Sequence, residues 1–153
     1  MMVSRKFLSQ KIMKEIYTDG ACKGNPGKGG WGFIIYDGNK RIKVNGGEEK
    51  TTNNRMELMA ILKALKYNND EPCIIYTDSQ YVKKGITDWM VNWKKNGWKK
   101  KTKPYEIVNV DLWKQIDQKL TKHVKVEWVK AHVGIEGNEI ADELANHAIE
   151  RLF

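Results

Sequence analysis

The chain has 153 residues, of which 41% are hydrophobic, and its mean hydropathy is -0.64. This length suits about one globular domain, and no stretch approaches the roughly 18 consecutive apolar residues of a membrane-spanning helix. The 27 lysines and arginines outnumber the 19 aspartates and glutamates and give a net charge of +8, which favours a polyanionic partner such as nucleic acid without identifying one.

Residues 1–12 differ from the rest of the chain because they contain basic residues and no acidic one. They lack the apolar region of a secretory signal, so we expect a disordered basic extension or a segment upstream of the true start, with a transit peptide as the weaker alternative. Residues 13–153 are predicted to form the single domain. Cys22 and Cys73 form no CxxC pair, which favours a reducing cytoplasm over a disulfide framework or a zinc knuckle.

The first part of the chain predicts three antiparallel strands. Residues 13–19 have the pattern of a strand that ends at Asp19, and residues 20–30 are predicted to be a glycine-rich loop. Two further β-rich runs flank Asp37-Gly38, a dipeptide typical of tight hairpin turns. The three strands are therefore expected to form a meander.

The remaining part alternates helices with strands. Residues 51–69 have apolar residues at helical spacing, and Thr51, Thr52 or Asn53 is the candidate cap. A strand over 73–78 ends at Asp78, and the brief helix after it is expected to end at Gly85. Three more elements are predicted: a helix over 107–120, a strand over 123–132 and a helix over 137–152. The order βββαβααβα indicates an α/β fold, with a mixed five-stranded sheet of three antiparallel strands followed by parallel additions and flanked by helices.

Four acidic residues are predicted to lie at one edge of this sheet. The tetrapeptides YTDG and YTDS each end a strand on an aspartate, Asp19 and Asp78, and parallel strands would bring both to the same crevice. Two carboxylates so close repel one another unless a divalent cation lies between them. Glu57 and Asp142 lie on the apolar faces of their helices and are expected to point inward. Taken singly, the four acids have ordinary alternatives as turn, cap, helix-dipole or surface residues.

Five segments carry a resemblance to a known family. In chain order, YTDGACKGNPG, TTNNRMEL, YTDSQYV, NVDLW and KAHVGIEGNEIADELA resemble type 1 ribonuclease H, the bacterial-type ribonuclease HI family, from about Met13 to the end. The resemblance implies a ribonuclease H-like fold. It also implies a monomeric endonuclease that binds RNA–DNA hybrid rather than a membrane and hydrolyses the RNA strand to 5′-phosphate and 3′-hydroxyl products.

By motif position the resemblance assigns the catalytic residues and the metal. The four acids that bind metal are Asp19, Glu57, Asp78 and Asp142. They are expected to hold two Mg²⁺ ions, with Mn²⁺ as a substitute, so that the ions activate the attacking water and stabilise the leaving 3′ oxygen. His132 would assist proton movement or product release, with Glu139 nearby; without the motif it would be a surface loop histidine.

The resemblance also assigns contacts to the hybrid. Four residues match contacts to the RNA sugar: Cys22, Asn25, Asn53 and Gln80. Thr52 and Asn109 match a pocket for a DNA phosphate, in which Lys50 stands where some relatives have arginine and so lacks the bidentate fork. The alternatives are a helix cap for Thr52, a turn former for Asn25 and a cap of the next helix for Asn109.

Residues 89–105, WMVNWKKNGWKKKTKPY, contain six lysines, three tryptophans and no acid. Lysines neutralise phosphates and flat rings pack on sugars or bases, so this segment is a candidate nucleic-acid grip that resembles the basic protrusion of the family. The candidate contact residues are Trp89, Trp93, Lys94, Lys95, Lys99 and Lys100. The alternative is a solvated lysine face whose tryptophans fill the core.

Three functions are compatible with these features. The leading hypothesis is a Mg²⁺-dependent ribonuclease H. A non-catalytic module that binds RNA–DNA hybrids would need only the basic aromatic segment, and the set of four acids argues against it. A DNA-strand transferase or resolvase on the same fold is the third, and the lysine-tryptophan segment and the GNPG sequence argue against that through the family resemblance.

Overall fold

The computed structural model describes residues 13–153, so the extension predicted over residues 1–12 lies outside the described part of the chain. A mixed five-stranded sheet forms the centre of this part. Its strands are β1 (Lys14–Gly24), β2 (Gly27–Asp37), β3 (Lys40–Thr51), β4 (Cys73–Thr77) and β5 (Val124–Trp128), in the spatial order β3-β2-β1-β4-β5. The first three are antiparallel neighbours, and β4 and β5 extend the sheet parallel to β1, which confirms the predicted fold class.

Helices complete the chain. They are α1 (Asn53–Asn68), α2 (Gln80–Lys84), a π-helical segment (Gly85–Trp89), α3 (Met90–Lys95), α4 (Val110–Lys119) and α5 (Glu136–Leu152). The predicted cap of α1 is confirmed at Thr52, whose hydroxyl accepts a hydrogen bond from the backbone N–H of Arg55 at 3.2 Å. None of the helices in residues 13–153 combines the length and apolar character that a bilayer crossing requires.

The sheet is covered on both faces. Phe33 and Ile35 of β2 belong to the buried core beneath α1 and α4, together with the fully buried Trp113. Successive side chains of a strand point to opposite faces, so Gly32, the residue before Phe33, faces the other way. A Cβ at Gly32 would lie 2.6 Å from the Cβ of Leu144, which shows that α5 packs directly on this second face.

The glycine-rich loop predicted over residues 20–30 is wrong. These residues form the end of β1, a turn at Asn25-Pro26 and the start of β2, so Asp19 lies inside a strand rather than at its end. The glycines allow a helix to approach: a Cβ at Gly30 would lie 2.1 Å from the carbonyl oxygen of Ala145 in α5. Sequence alone could not separate this use of glycine from a loop, because the helix concerned lies more than a hundred residues away.

The helix predicted to end at Gly85 continues instead. Gly85 has helical angles, φ -61° and ψ -47°, and the helical path runs on through the π-helical segment to Lys95. A Cβ at Gly85 would lie 2.1 Å from the indole of Trp113, so glycine is used here to let a buried aromatic ring contact the backbone. The hairpin predicted around Asp37-Gly38 is confirmed between β2 and β3, with Gly38 and Asn39 as its turn residues.

Candidate active site

Three acidic side chains meet where β1 and β4 run side by side. Thr18 and Thr77 are register partners in these parallel strands. The residues that follow them, Asp19 and Asp78, therefore lie at the same edge of the sheet. Glu57 enters from the second turn of α1 and is 6% exposed, and Asp19 is 5% exposed. One carboxylate oxygen from each of the three acids lies within 4.8 Å of the others. The structure thus brings together residues that are far apart in the sequence.

Burial and like charge shift the titration of this group. Burial is the main cause that raises the pKa of Asp19 well above its ordinary range, and the neighbouring charges of Glu57 and Asp78 raise it further. Burial also raises the pKa of Glu57, although hydrogen bonds with Asp19 and with the backbone N–H of Gly20 act in the opposite direction. Without a cation the group therefore retains a proton at neutral pH.

The donor set suits a hard divalent cation. Such ions take carboxylate oxygens at about 2.0–2.6 Å, and a point equidistant from three oxygens that lie within 4.8 Å of one another is at most about 2.8 Å from each, so a small inward movement of the side chains would complete the contacts. A bound cation would also replace the retained proton and remove the repulsion between buried carboxylates. The residues present therefore fit a metal such as Mg²⁺, and they do so through their chemistry as well as their spacing.

Asp142 lies at the margin of this group. It projects from the second turn of α5, is half-buried, and lies near enough to Asp19 to make a small addition to the rise in the pKa of Asp19, after burial and the charges of Glu57 and Asp78. The side-chain amide of Asn146, one turn further along α5, donates to the backbone oxygen and to the carboxylate of Asp142 at 2.9 and 3.3 Å. The carboxylate of Asp142 supplies none of the three oxygens that lie within 4.8 Å of one another.

Two residues that sequence reasoning missed orient Asp78. The amide of Asn138, which is 4% exposed, donates to Oδ2 of Asp78 at 3.0 Å, and the indole N–H of Trp128 donates to the backbone carbonyl of Asp78 at 3.1 Å. Helical phase could have identified Asn138, because it precedes Asp142 by four residues and so shares its face of α5. The role of Trp128 depends on the pairing of β4 with β5 and has no local signal.

His132 lies in the loop between β5 and α5. This loop joins the strand beside β4 to the helix that carries Asp142, and His132 is exposed there with a left-handed backbone, φ 58°. Glu139 is exposed in the first turn of α5.

Three of the four residues matched to the RNA sugar lie at the junction of the β1–β2 hairpin with α1. Oδ1 of Asn25 accepts a hydrogen bond from the backbone N–H of Asn53 at 3.1 Å. The thiol of Cys22 donates to the carbonyls of Gly24 and Thr51 at 2.8 and 3.4 Å. Gln80 is exposed at the start of α2, two residues after Asp78.

Thr52 and Asn109 are linked by an arginine that sequence reasoning did not select. Arg55 donates to Oδ1 of Asn109 at 3.2 Å and, with both ends of its fork, to Asp111 at 2.7 and 3.1 Å. Asn109 occupies the N-cap position of α4, as the alternative expected, but it has a left-handed backbone, φ 63°, and its side chain makes no capping hydrogen bond. Lys50 is exposed near the end of β3.

The basic segment combines packed rings with exposed lysines. The half-buried rings of Trp89 and Trp93 lie 5.8 Å apart and continue through Tyr81 to the buried Trp113. Trp89 and Trp93 also line an open hollow of about 300 Å³, so each ring both packs and offers a surface. The candidate lysines are at least partly exposed, and Lys94 is paired with Asp117 at 3.0 Å; the other three are Lys95, Lys99 and Lys100.

Comparisons with known proteins agree with this geometry. The family model described as RNase H matches residues 11–150. Ribonuclease H of Chromobacterium violaceum is 54% identical over 140 residues, covering 89% of this chain and 94% of the relative. Ribonuclease H of Stutzerimonas stutzeri is 56% identical over 139 residues, covering 88% and 90%.

Solved structures of the same kind superpose on the chain. The crystal structure of LC9-RNase H1, described as a type 1 RNase H with the type 2 active-site motif, has a TM-score of 0.81 and 31% identity, covering 92% of this chain and 74% of that one. LC11-RNase H1, solved in complex with an RNA/DNA hybrid, has a TM-score of 0.65 and 24% identity, covering 91% and 98%. At the lower identity the likeness concerns the fold alone.

Proposed function

This chain belongs to the ribonuclease H family, and from that premise we infer that it is an endonuclease that hydrolyses the RNA strand of RNA–DNA hybrids. The observation that carries the inference is the buried group formed by Asp19, Glu57 and Asp78, found in a chain that matches the family over residues 11–150. Buried like charges are unfavourable for stability, so a module that only binds hybrids would have no use for them. The non-catalytic alternative is therefore not favoured.

We propose that Asp19, Glu57, Asp78 and Asp142 hold two Mg²⁺ ions, for which Mn²⁺ can substitute. When bound, the ions supply activation of the attacking water and stabilisation of the leaving 3′ oxygen, which yields 5′-phosphate and 3′-hydroxyl ends. The carboxylates hold the required negative charge in a site shielded from bulk water. The hydrogen bond from Asn138 supports this proposal, because it restricts which oxygen of Asp78 is free to act as a ligand.

The remaining predicted residues are proposed to bind and release the hybrid. His132 would assist proton movement or product release from its exposed loop. The RNA sugar would lie against Cys22, Asn25, Asn53 and Gln80, where small polar groups and backbone atoms can sense a 2′-hydroxyl. A DNA phosphate would bind at Lys50, Thr52 and Asn109, and the DNA strand would continue along the rings and lysines of residues 89–105. We further propose that residues 13–153 act as one monomeric domain in the cytoplasm.

A cleavage assay with three labelled duplexes tests the function. The chain is incubated with end-labelled RNA–DNA hybrid, duplex RNA and duplex DNA, with Mg²⁺ or with a chelator. Cutting is expected in the RNA of the hybrid alone and is expected to stop with chelator. Tight binding without cutting at any metal concentration would establish the binding module instead, and cutting of duplex DNA would indicate a resolvase-like activity.

A single substitution tests the assignment of the site. Asp19→Asn keeps the shape of the side chain and removes its charge, so cleavage should fall by at least a hundredfold while the circular dichroism spectrum is unchanged. Asp37→Asn, which changes an aspartate at the end of β2 outside the acid group, is the matched control and should cleave as the parent does. Equal activity of the two variants would exclude Asp19 from the site.

A further inference from the structure

The first turn of α5 contacts the sheet through three consecutive residues. Glu136 accepts a hydrogen bond from the hydroxyl of Tyr36 at 2.7 Å, and Asn138 donates to Asp78 at 3.0 Å. Between them, Gly137 lies against the ring of Tyr17, where a Cβ would be 2.2 Å from the ring carbon Cδ1. The turn is therefore held on both sides of a contact that leaves no room for a side chain.

The ring under Gly137 belongs to a group of three tyrosines on the same face of the sheet, which we call the tyrosine platform. Tyr17 and Tyr76 are register partners on β1 and β4, and their rings stack at 4.6 Å with 18° between the planes. Tyr36 meets Tyr17 edge-on at 5.9 Å, and the guanidinium of Arg41 covers its ring at 4.5 Å. These contacts restrict the movement of the three half-buried rings, so the platform supports the start of α5.

The start and the middle of α5 pack against different parts of the sheet. Near its middle the helix lies against bare backbone, since a Cβ at Gly30 would come within 2.1 Å of the carbonyl of Ala145. At its start it lies against the face of an aromatic ring.

Asp142 lies between these two supports, four residues after Asn138 on the same face of α5. Its contact with Asp19 thus depends on the height and angle of the helix start. We propose that Tyr17 and Tyr36 are positioning residues for the reaction, because they set the first turn of α5 and thereby the placement of Asp142 relative to Asp19. This inference rests on the proposed ribonuclease function, and neither tyrosine touches the acid group directly.

The platform contains a matched pair of hydroxyls for a test. Tyr36 donates to Glu136 of α5, and Tyr76 donates at 3.0 Å to Glu15 of β1, so each makes one hydrogen bond to a carboxylate on the same face. Tyr36→Phe should lower kcat on hybrid by about three- to tenfold with KM within twofold of the parent. It should also weaken Mg²⁺ binding to the substrate-free protein, measured by calorimetry. Tyr76→Phe should leave kcat and Mg²⁺ affinity within twofold.

A rescue experiment tests the ring. Gly137→Ala would force a methyl group into Tyr17 and should lower kcat at least tenfold. Tyr17→Val makes space for that methyl group, so the double variant should recover activity relative to Gly137→Ala alone, a coupling that independent stability losses do not produce. Melting temperatures of all variants establish that each is folded at the assay temperature.

Each outcome separates the two claims. If the parent chain does not cleave hybrid, the proposed function is wrong, and calorimetric Mg²⁺ affinities of the two phenylalanine variants still test the platform. If the parent cleaves but Tyr36→Phe and Tyr76→Phe have equal kcat and equal Mg²⁺ affinity, the positioning inference is overturned. The same holds if the double variant is no more active than Gly137→Ala.

Discussion

Replacing Asp19 by asparagine is expected to stabilise the metal-free protein at neutral pH, even though the same substitution is expected to reduce cleavage at least a hundredfold. In the folded protein, burial first and then the charges of Glu57 and Asp78 raise the pKa of Asp19 from 3.8 to about 11. At pH 7 the carboxyl is therefore protonated in the folded state and ionised in the unfolded chain. Asparagine has nearly the same shape and no charge, so it does not incur the free energy of this protonation.

The size of the effect follows from the difference between the pH and the ordinary pKa of the carboxyl. Holding the carboxyl protonated costs about 1.4 kcal/mol for each pH unit above 3.8, or roughly 4 kcal/mol at pH 7. This is an upper bound, because penetrating water and counter-ions share the repulsion, and a gain of about 2 kcal/mol is expected. For a chain of this size such a gain raises the melting temperature by about 4–8 °C.

The direction in which the stability gain changes with pH tests this explanation. A carboxyl whose pKa is raised on folding favours the folded state below its ordinary pKa and loses that contribution as pH rises, so the advantage of Asp19→Asn should grow from pH 4.5 to pH 8. Thermal melts in chelator at pH 4.5, 7 and 8 measure it. Mg²⁺ should raise the melting temperature of the parent more than that of the variant. A gain independent of pH, or a loss at pH 7, would refute the account of a repulsive buried group.

Three further outcomes are expected. Asp111→Asn should destabilise the protein at neutral pH, since the hydrogen bond from Arg55 holds the pKa of Asp111 below its ordinary value. In thermal melts from pH 7 to pH 2.5, the difference in melting temperature between variant and parent should shrink on acidification, and a constant difference would contradict this. Gly85→Ala should lower the free energy of unfolding by about 1–3 kcal/mol in urea titrations, because the added methyl group meets Trp113, whereas helix propensity alone predicts a gain. In salt titrations of hybrid binding, Lys94→Ala should reduce the slope of log affinity against log salt less than an alanine at one of the other lysines, because Lys94 is paired with Asp117. A triple alanine variant should reduce that slope by up to about 3, and an unchanged slope would remove the basic segment from the binding surface. The lysines of the triple variant are Lys95, Lys99 and Lys100.

Local patterns in the sequence were sufficient to predict that an acidic side chain on a helix points inward. Glu57 was predicted to point inward from its phase in α1, and it is 6% exposed. Helical phase is a property of neighbouring residues, so it can be determined from the sequence without knowledge of the fold. The cap at Thr52 was predictable for the same reason, because its partner is only three residues away.

Glycine was the least predictable residue type. The segment from Gly20 to Gly30 has the composition of a loop, yet it is paired strand, and Gly85 was predicted to end a helix that continues. In both places glycine serves a close contact with a distant element, at Ala145 in one case and Trp113 in the other. A turn and a close approach require the same residue, so composition cannot distinguish them.

The sequence by itself determined the order of strands and helices, the faces they bury and the acidic residues available for a site, since each of these depends on periodicity over a few positions. The tertiary structure decided which side chains support those acids. Asn138 reaches Asp78 across 60 residues of chain, and Tyr36 reaches Glu136 across 100. Such contacts depend on how α5 packs against β1 and β2, and packing is set by the shapes of surfaces that only the folded chain brings together.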